Sequence, residues 1–103
     1  VAEVIWTEPA QADLEAIYDY IAIESPAAAL ALVARVLRHV DQLARHPDSG
    51  SWLPELGRSR YRQIVEPPCR IFYRRAGRAV AILHVTRSER TLDVRRLETA
   101  LDE

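Results

Sequence analysis

A chain of 103 residues has room for one hydrophobic core, and 49% apolar with 28% charged residues is the balance of a folded domain, not of a disordered or fibrous one. No apolar run approaches the roughly 18 residues that span a bilayer, and no basic leader-like segment opens the sequence, so no membrane partner and a cytoplasmic location are the expectation. One cysteine, Cys69, excludes an internal disulfide, no Cys/His spacing suits zinc, and no cofactor is expected. In chain order, EVIW (3–6) reads as a short strand. Thr7 then stands as an N-cap with Pro9 in the first turn, and Leu14, Ile17, Tyr18 and Ile21 recur as the stripe of an amphipathic helix. Ser25-Pro26 restarts a helix that carries Leu30, Val33, Leu37, Val40 and Ala44 until HPDSG (46–50) stops it.

Three short runs rich in β-branched and aromatic residues follow: YRQIV (61–65), CRIFYR (69–74) and AVAILHVT (79–86). They predict a three-stranded antiparallel meander. TLDVRRLETAL (91–101) predicts a last, weaker helix with Val94, Leu97 and Leu101 on one side. The order β-α-α-β-β-β-α, in a single domain over 1–103, predicts an α+β fold of two layers, with the helical hairpin of residues 7–46 on one face of a mostly antiparallel sheet. A three-residue turn at Ala76-Gly77-Arg78 would set Arg70 opposite His84, Phe72 opposite Ile82 and Tyr73 opposite Ala81. Ile71, Tyr73, Ala81, Leu83 and Val85 would then lie under the helices. Arg70, Phe72, Arg74, Ile82, His84 and Thr86 would share the other face.

All fourteen basic residues are arginines, and they are unevenly placed. Residues 1–34 hold six acids and no arginine, whereas residues 58–90 hold nine arginines against Glu66 and Glu89. A net charge of −1 therefore conceals a basic patch, the footprint of a protein that holds an anionic partner. The alternative is a solvated polar face balanced by the acidic helix.

The ordered set ADLEAIYDYIA, SPAAALALV, LARHPDSG, LPELGRSRYRQIVEPPCRIFYRR and VAILHVTRSER resembles the RelE/ParE superfamily of toxins from type II toxin–antitoxin systems. The long hairpin opened by Ser25-Pro26 and the PELG…PPCRIFYR region look closest to the ParE branch. That resemblance implies the two-layer RelE/ParE-like fold, a cognate ParD-like antitoxin as partner, and DNA gyrase as the poisoned target. The RelE branch implies a different activity, ribosome-dependent cleavage of mRNA. Metal-free RNA cleavage needs a base, an acid and cations for the phosphorane, and arginine stays protonated, which makes it a poor base. The resemblance maps basic sheet positions of that set onto Arg62 and Arg70, the region after the last strand offers Arg87 and Arg90, and His84 on the Arg70 face is the remaining acid–base candidate. The aromatic expected after the last strand is missing, with Leu92, Asp93 and Val94 in its place. A binding toxin without catalytic residues is thus the first reading, a ribonuclease the second, and a degenerate toxin that keeps only antitoxin binding the third.

Arg70, Arg74, Arg87 and Arg90 are the candidates for target contact. His84 is either titratable on the Arg70 face or a hydrogen-bonded histidine near a sheet edge, and Asp13 reads as a solvated helix charge. Trp52, Leu53, Leu56, Leu97 and Leu101 are the candidate antitoxin contacts, as apolar residues expected to be only partly covered. A disordered antitoxin tail that folds into such a groove would use them as anchors, with the arginines of 58–90 pairing at the rim.

Overall fold

The computed structural model describes residues 1–87 and 90–100. Among them the chain forms β1 (Glu3–Trp6), α1 (Glu8–Ala22), α2 (Pro26–Asp41), β2 (Ser51–Leu53), β3 (Gly57–Glu66), β4 (Cys69–Ala76), β5 (Ala79–Arg87) and α3 (Arg95–Thr99), with a 3-10 turn at Gln42–Ala44. Both helix starts obey their local chemistry. The Thr7 hydroxyl accepts from Ala10 N–H at 3.4 Å and donates to the Ile82 carbonyl at 2.7 Å, so one side chain caps α1 and ties it to the sheet. The Ser25 hydroxyl accepts from Ala28 N–H at 3.1 Å, with Pro26 in the first turn of α2.

The sheet runs β1-β5-β4-β3-β2. Its β5-β4-β3 core is the predicted antiparallel meander, flanked by two edge strands. β2 pairs antiparallel with β3, and β1 pairs parallel with β5 from Glu3↔Ala79 to Trp6↔Ile82. The hairpin of α1 and α2 covers one face, where Leu14, Val36, Val40 and Leu43 pack on Ile64, Ile71, Tyr73, Val80, Ile82 and Val85. A second core lies on the other face, where the C-terminal segment places Leu92, Leu97 and Ala100 over Leu53, Tyr61, Phe72, Ala81 and Leu83. No helix among the described residues is long and apolar enough to cross a membrane.

The β4–β5 register differs from the expectation. The turn contains two residues, Gly77 and Arg78, between paired Ala76 and Ala79, so Tyr73 pairs with Ile82 and Arg74 with Ala81. Gly77 takes φ +63° at the first central position, the geometry whose twist suits a two-residue hairpin. Leu83 has no partner of its own, because Phe72 pairs with His84 beyond this bulge. Phe72 and Leu83 consequently share the face away from the hairpin, and Val80 and Ile82 take the places expected for Ala81 and Leu83. A Cβ at residue 77 would meet no atom within 4 Å, so only the backbone resists Gly77→Ala. That change will lower stability by about 1 kcal/mol and the melting temperature by roughly 4–8 °C, measured by thermal circular dichroism.

Two further expectations are corrected. α2 buries Ala29, Leu32, Val36 and Val40, while Leu30 and Leu37 stay 61% and 41% exposed, because apolar residues stand on both faces of this helix. Leu53 and Leu97, expected to be partly covered, are fully buried in the second core and present no surface to a partner in this conformation. Leu101 lies outside the described residues.

Candidate functional site

β1 ends at Trp6, and Thr7 N–H makes the last bond to that edge, with the Ile82 carbonyl at 3.1 Å. Beyond Ile82 the edge of β5 faces α1, which supplies Asp13. One Asp13 oxygen accepts from Val85 N–H at 3.1 Å and from His84 Nδ1, and the other accepts from Arg96 at 2.8 Å. A single carboxylate thus joins α1, the bulged edge of β5 and the C-terminal helix. Burial alone would push its pKa up, but the bonds from His84, Val85 and Arg96 outweigh burial and hold it below the ordinary aspartate value of 3.8. His84 is only 6% exposed and stacks on Phe72 at 5.6 Å between ring centroids. Above this group opens a hollow of about 360 Å³, lined by Tyr20, Thr86, Arg87, Arg90 and Arg96. Arg87 lies over the Tyr20 ring at 4.4 Å.

Arg70 also lies over Phe72, with its guanidinium 4.7 Å from the ring centroid. Both terminal nitrogens donate to Glu55 at 2.9 Å, and Nε donates to Gln63 at 2.8 Å. The Arg70 hydrogen bond is also the main reason that the Glu55 carboxyl lies below its ordinary value. The side chain of Arg70 is 11% exposed, so this arginine clamps the loop before β3 to the sheet and does not stand on an open face.

Arg62 points the other way. Cross-strand partners share a face, and its partner Tyr73 belongs to the core under the hairpin, whereas Phe72 and His84 form a row on the opposite face. Arg62 donates to the Gly50 carbonyl at 2.8 Å, lies 3.9 Å over the Trp52 ring and approaches Asp48 at 3.9 Å. Tyr73 fixes the same turn, donating to the Pro47 carbonyl at 2.8 Å and accepting from Gly50 N–H at 2.9 Å.

Of the residues mapped to a ribonuclease, His84, Arg87 and Arg90 line one hollow, Arg70 is committed to Glu55, and Arg62 sits on the other face. Arg74 is half-buried in a second hollow with Arg60, Arg62 and Arg75. Among the candidate antitoxin contacts, Trp52 and Leu56 are exposed at 38% and 36%. An apolar groove is lined by Trp6 at the end of β1, by Leu14 and Tyr18 of α1, and by Val33 and Leu37 of α2. No group of three or more His, Cys, Asp or Glu among the described residues is placed to hold a metal. Sequence reasoning missed Asp13. Its spacing to Ile17 and Tyr20, i+4 and i+7, was the available signal, since Ile17 packs against the core.

Comparison with known proteins identifies the family and matches the fold. The family described as ParE toxin of type II toxin-antitoxin system, parDE, matches residues 4–92. Toxin RelE2 of Caulobacter vibrioides (strain ATCC 19089 / CIP 103742 / CB 15) is 37% identical over 91 residues, which is 87% of this chain and 99% of the relative. A solved chain described as the chromosomal ParDE TA system from P. aeruginosa is 31% identical and superposes with a TM-score of 0.72, covering 85% of this chain and 97% of that chain.

Proposed function

Because the chain belongs to the ParE toxin family of type II toxin–antitoxin systems, we propose that it arrests growth in the cytoplasm by binding its target, DNA gyrase being the one its family implies, and not by cutting RNA. One observation carries the reading: the acid–base candidates are dispersed and occupied. His84 is the only imidazole at the site, and it is buried between Phe72 and the Asp13 carboxylate. Arg62 and Arg70, which would have to share a phosphate with it, lie respectively on the opposite face and in a bidentate pair with Glu55. Losing positioned acid–base groups removes roughly 10²- to 10⁴-fold of rate, so this arrangement favours binding over hydrolysis. The family also implies an antitoxin. Its apolar anchor is best accommodated by the groove between Trp6, α1 and α2, with Trp52 and Leu56 as further contacts.

The test sets the two activities side by side. Purified toxin is added to gyrase with relaxed plasmid and, separately, to translating ribosomes whose mRNA is mapped by primer extension. The expected result is loss of supercoiling or trapped cleavage complexes, with intact mRNA. Site-specific cuts in ribosome-bound mRNA with unaffected gyrase would replace this reading by the ribonuclease. Inactivity in both, with antitoxin binding retained, would mark a degenerate toxin.

A further inference from the structure

We propose that the end of the sheet carrying the Gly77–Arg78 turn is a binding surface for single-stranded nucleic acid, with guanidinium groups on the phosphates and Trp52 as a stacking platform for a base. This goes beyond the gyrase reading and does not depend on it. Two hollows meet there. One, of about 230 Å³, is lined by Arg60, Arg62, Arg74 and Arg75, and the other, of about 650 Å³, by Arg45, Arg75 and Arg78. Arg75 belongs to both, so they form one tract. Asp48 is the only acid lining either hollow among the described residues, and it touches Arg62 at 3.9 Å and Arg75 at 3.4 Å. Arg45, Arg60, Arg74 and Arg78 have no carboxylate within 4.0 Å among the described residues. Unpaired like charges held together on one surface repel, and a polyanion relieves that repulsion.

The aromatic content decides which polyanion. Trp52 keeps 38% of its surface exposed while Arg62, fixed by the Gly50 carbonyl, covers one face of the indole. Arg60 likewise lies 5.2 Å over Tyr61. An acidic peptide would use the guanidiniums, but it carries no flat base at each anionic step to stack on a braced, half-exposed indole. A strand with unstacked bases uses both, and interleaved cations and rings are the usual platform for one. A base held in duplex stacking could not reach the indole, so the expected ligand is single-stranded.

The experiment uses the purified toxin and a fluorescein-labelled oligothymidylate of about 12 nucleotides, read by anisotropy, with oligouridylate, duplex DNA and a polyglutamate peptide as competitors. With about four phosphates neutralised, raising salt from 50 to 200 mM should weaken binding about fiftyfold. Arg60→Ala/Arg75→Ala/Arg78→Ala should abolish most of this salt dependence. Arg95→Ala, which removes an exposed arginine paired with Asp93, should leave binding unchanged. Trp52→Ala should weaken binding about tenfold with an unaltered salt slope, and Trp52→Phe should recover most of the loss. Circular dichroism verifies folding. As a check on the wild-type chain, a bromodeoxyuridine-substituted strand should photocross-link to Trp52. Preference for one oligonucleotide over the other would identify the strand as DNA or RNA, either within the proposal. Absence of binding at low salt, equal competition by polyglutamate or duplex DNA, an unaffected triple variant, or cross-links found only elsewhere would overturn it.

Discussion

Gly50→Ala will destabilise the protein by about 3 kcal/mol, lowering its melting temperature by roughly 15 °C. A Cβ on residue 50 would sit 2.6 Å from the Gln63 carbonyl oxygen and 2.6 Å from the Tyr73 hydroxyl. Neither neighbour can retreat without loss. Gln63 is paired on both sides, with Ser51 in β2 and Phe72 in β4, so its backbone is held by two strands. Tyr73 is fully buried, and its hydroxyl both donates to Pro47 and accepts from Gly50, so moving the ring breaks two hydrogen bonds, one of them buried and the other partly so. The substitution therefore strikes the turn that brings β2 to the sheet and braces Arg62. Urea titration of the two proteins measures the effect, and a difference under about 1 kcal/mol would show that the turn yields more easily than its contacts imply.

Asp13→Ala will have an effect of similar size, about 3 kcal/mol, for a different reason. It fills no space, but it leaves His84, Val85 N–H and Arg96 without their shared acceptor, two of them at a largely buried site. Its signature is the pH dependence. The folded state holds Asp13 below 3.8, so it releases this proton more readily than the unfolded chain does. The stabilisation is accordingly complete above 3.8 and is lost as pH falls through the lower folded value. Wild type and Asp13→Ala should differ fully at neutral pH, and the gap should narrow in acid by the part that the charge contributes, when unfolding is followed from pH 7 downward. A gap that stays constant into strong acid would mean that Asp13 acts through packing and not through its charge.

What the sequence disclosed was the chemistry that completes itself locally. Thr7-Pro9 and Ser25-Pro26 mark helix starts within three residues of the groups they cap, and both caps form. The runs at 61–65, 69–74 and 79–86 carry their strand character in composition, and the family was legible from the order of the segments. The β4–β5 register was not, because Ala79–Val85 is apolar or aromatic at nearly every position. Without alternation, nothing in the sequence exposes a two-residue turn or the unpaired Leu83. The site was hidden by distance along the chain. Asp13 looks like one more acid on an acidic helix until His84, 71 positions away, is brought against it. Arg70 looks free until Glu55 arrives from a loop. Leu53 and Leu97 looked exposed because each stands in a segment with few apolar neighbours, and the core that buries them is assembled from both.

The parallel pairing of β1 with β5 has a consequence for the order of synthesis. Every rung of that pair, from Glu3↔Ala79 to Trp6↔Ile82, spans most of the chain. A ribosome delivers β1 early and its sheet partner late, with the whole hairpin and three further strands in between. Contacts of such long sequence separation close slowly, since the entropy of the intervening loop must be lost first. Until β5 has emerged, the hairpin lacks Val80, Ile82 and Val85 to pack on, and the Asp13 carboxylate lacks every partner described for it. The nascent chain is thus kept incomplete by its own topology, and the packed hairpin and the Asp13 cluster exist only once β5 has been made.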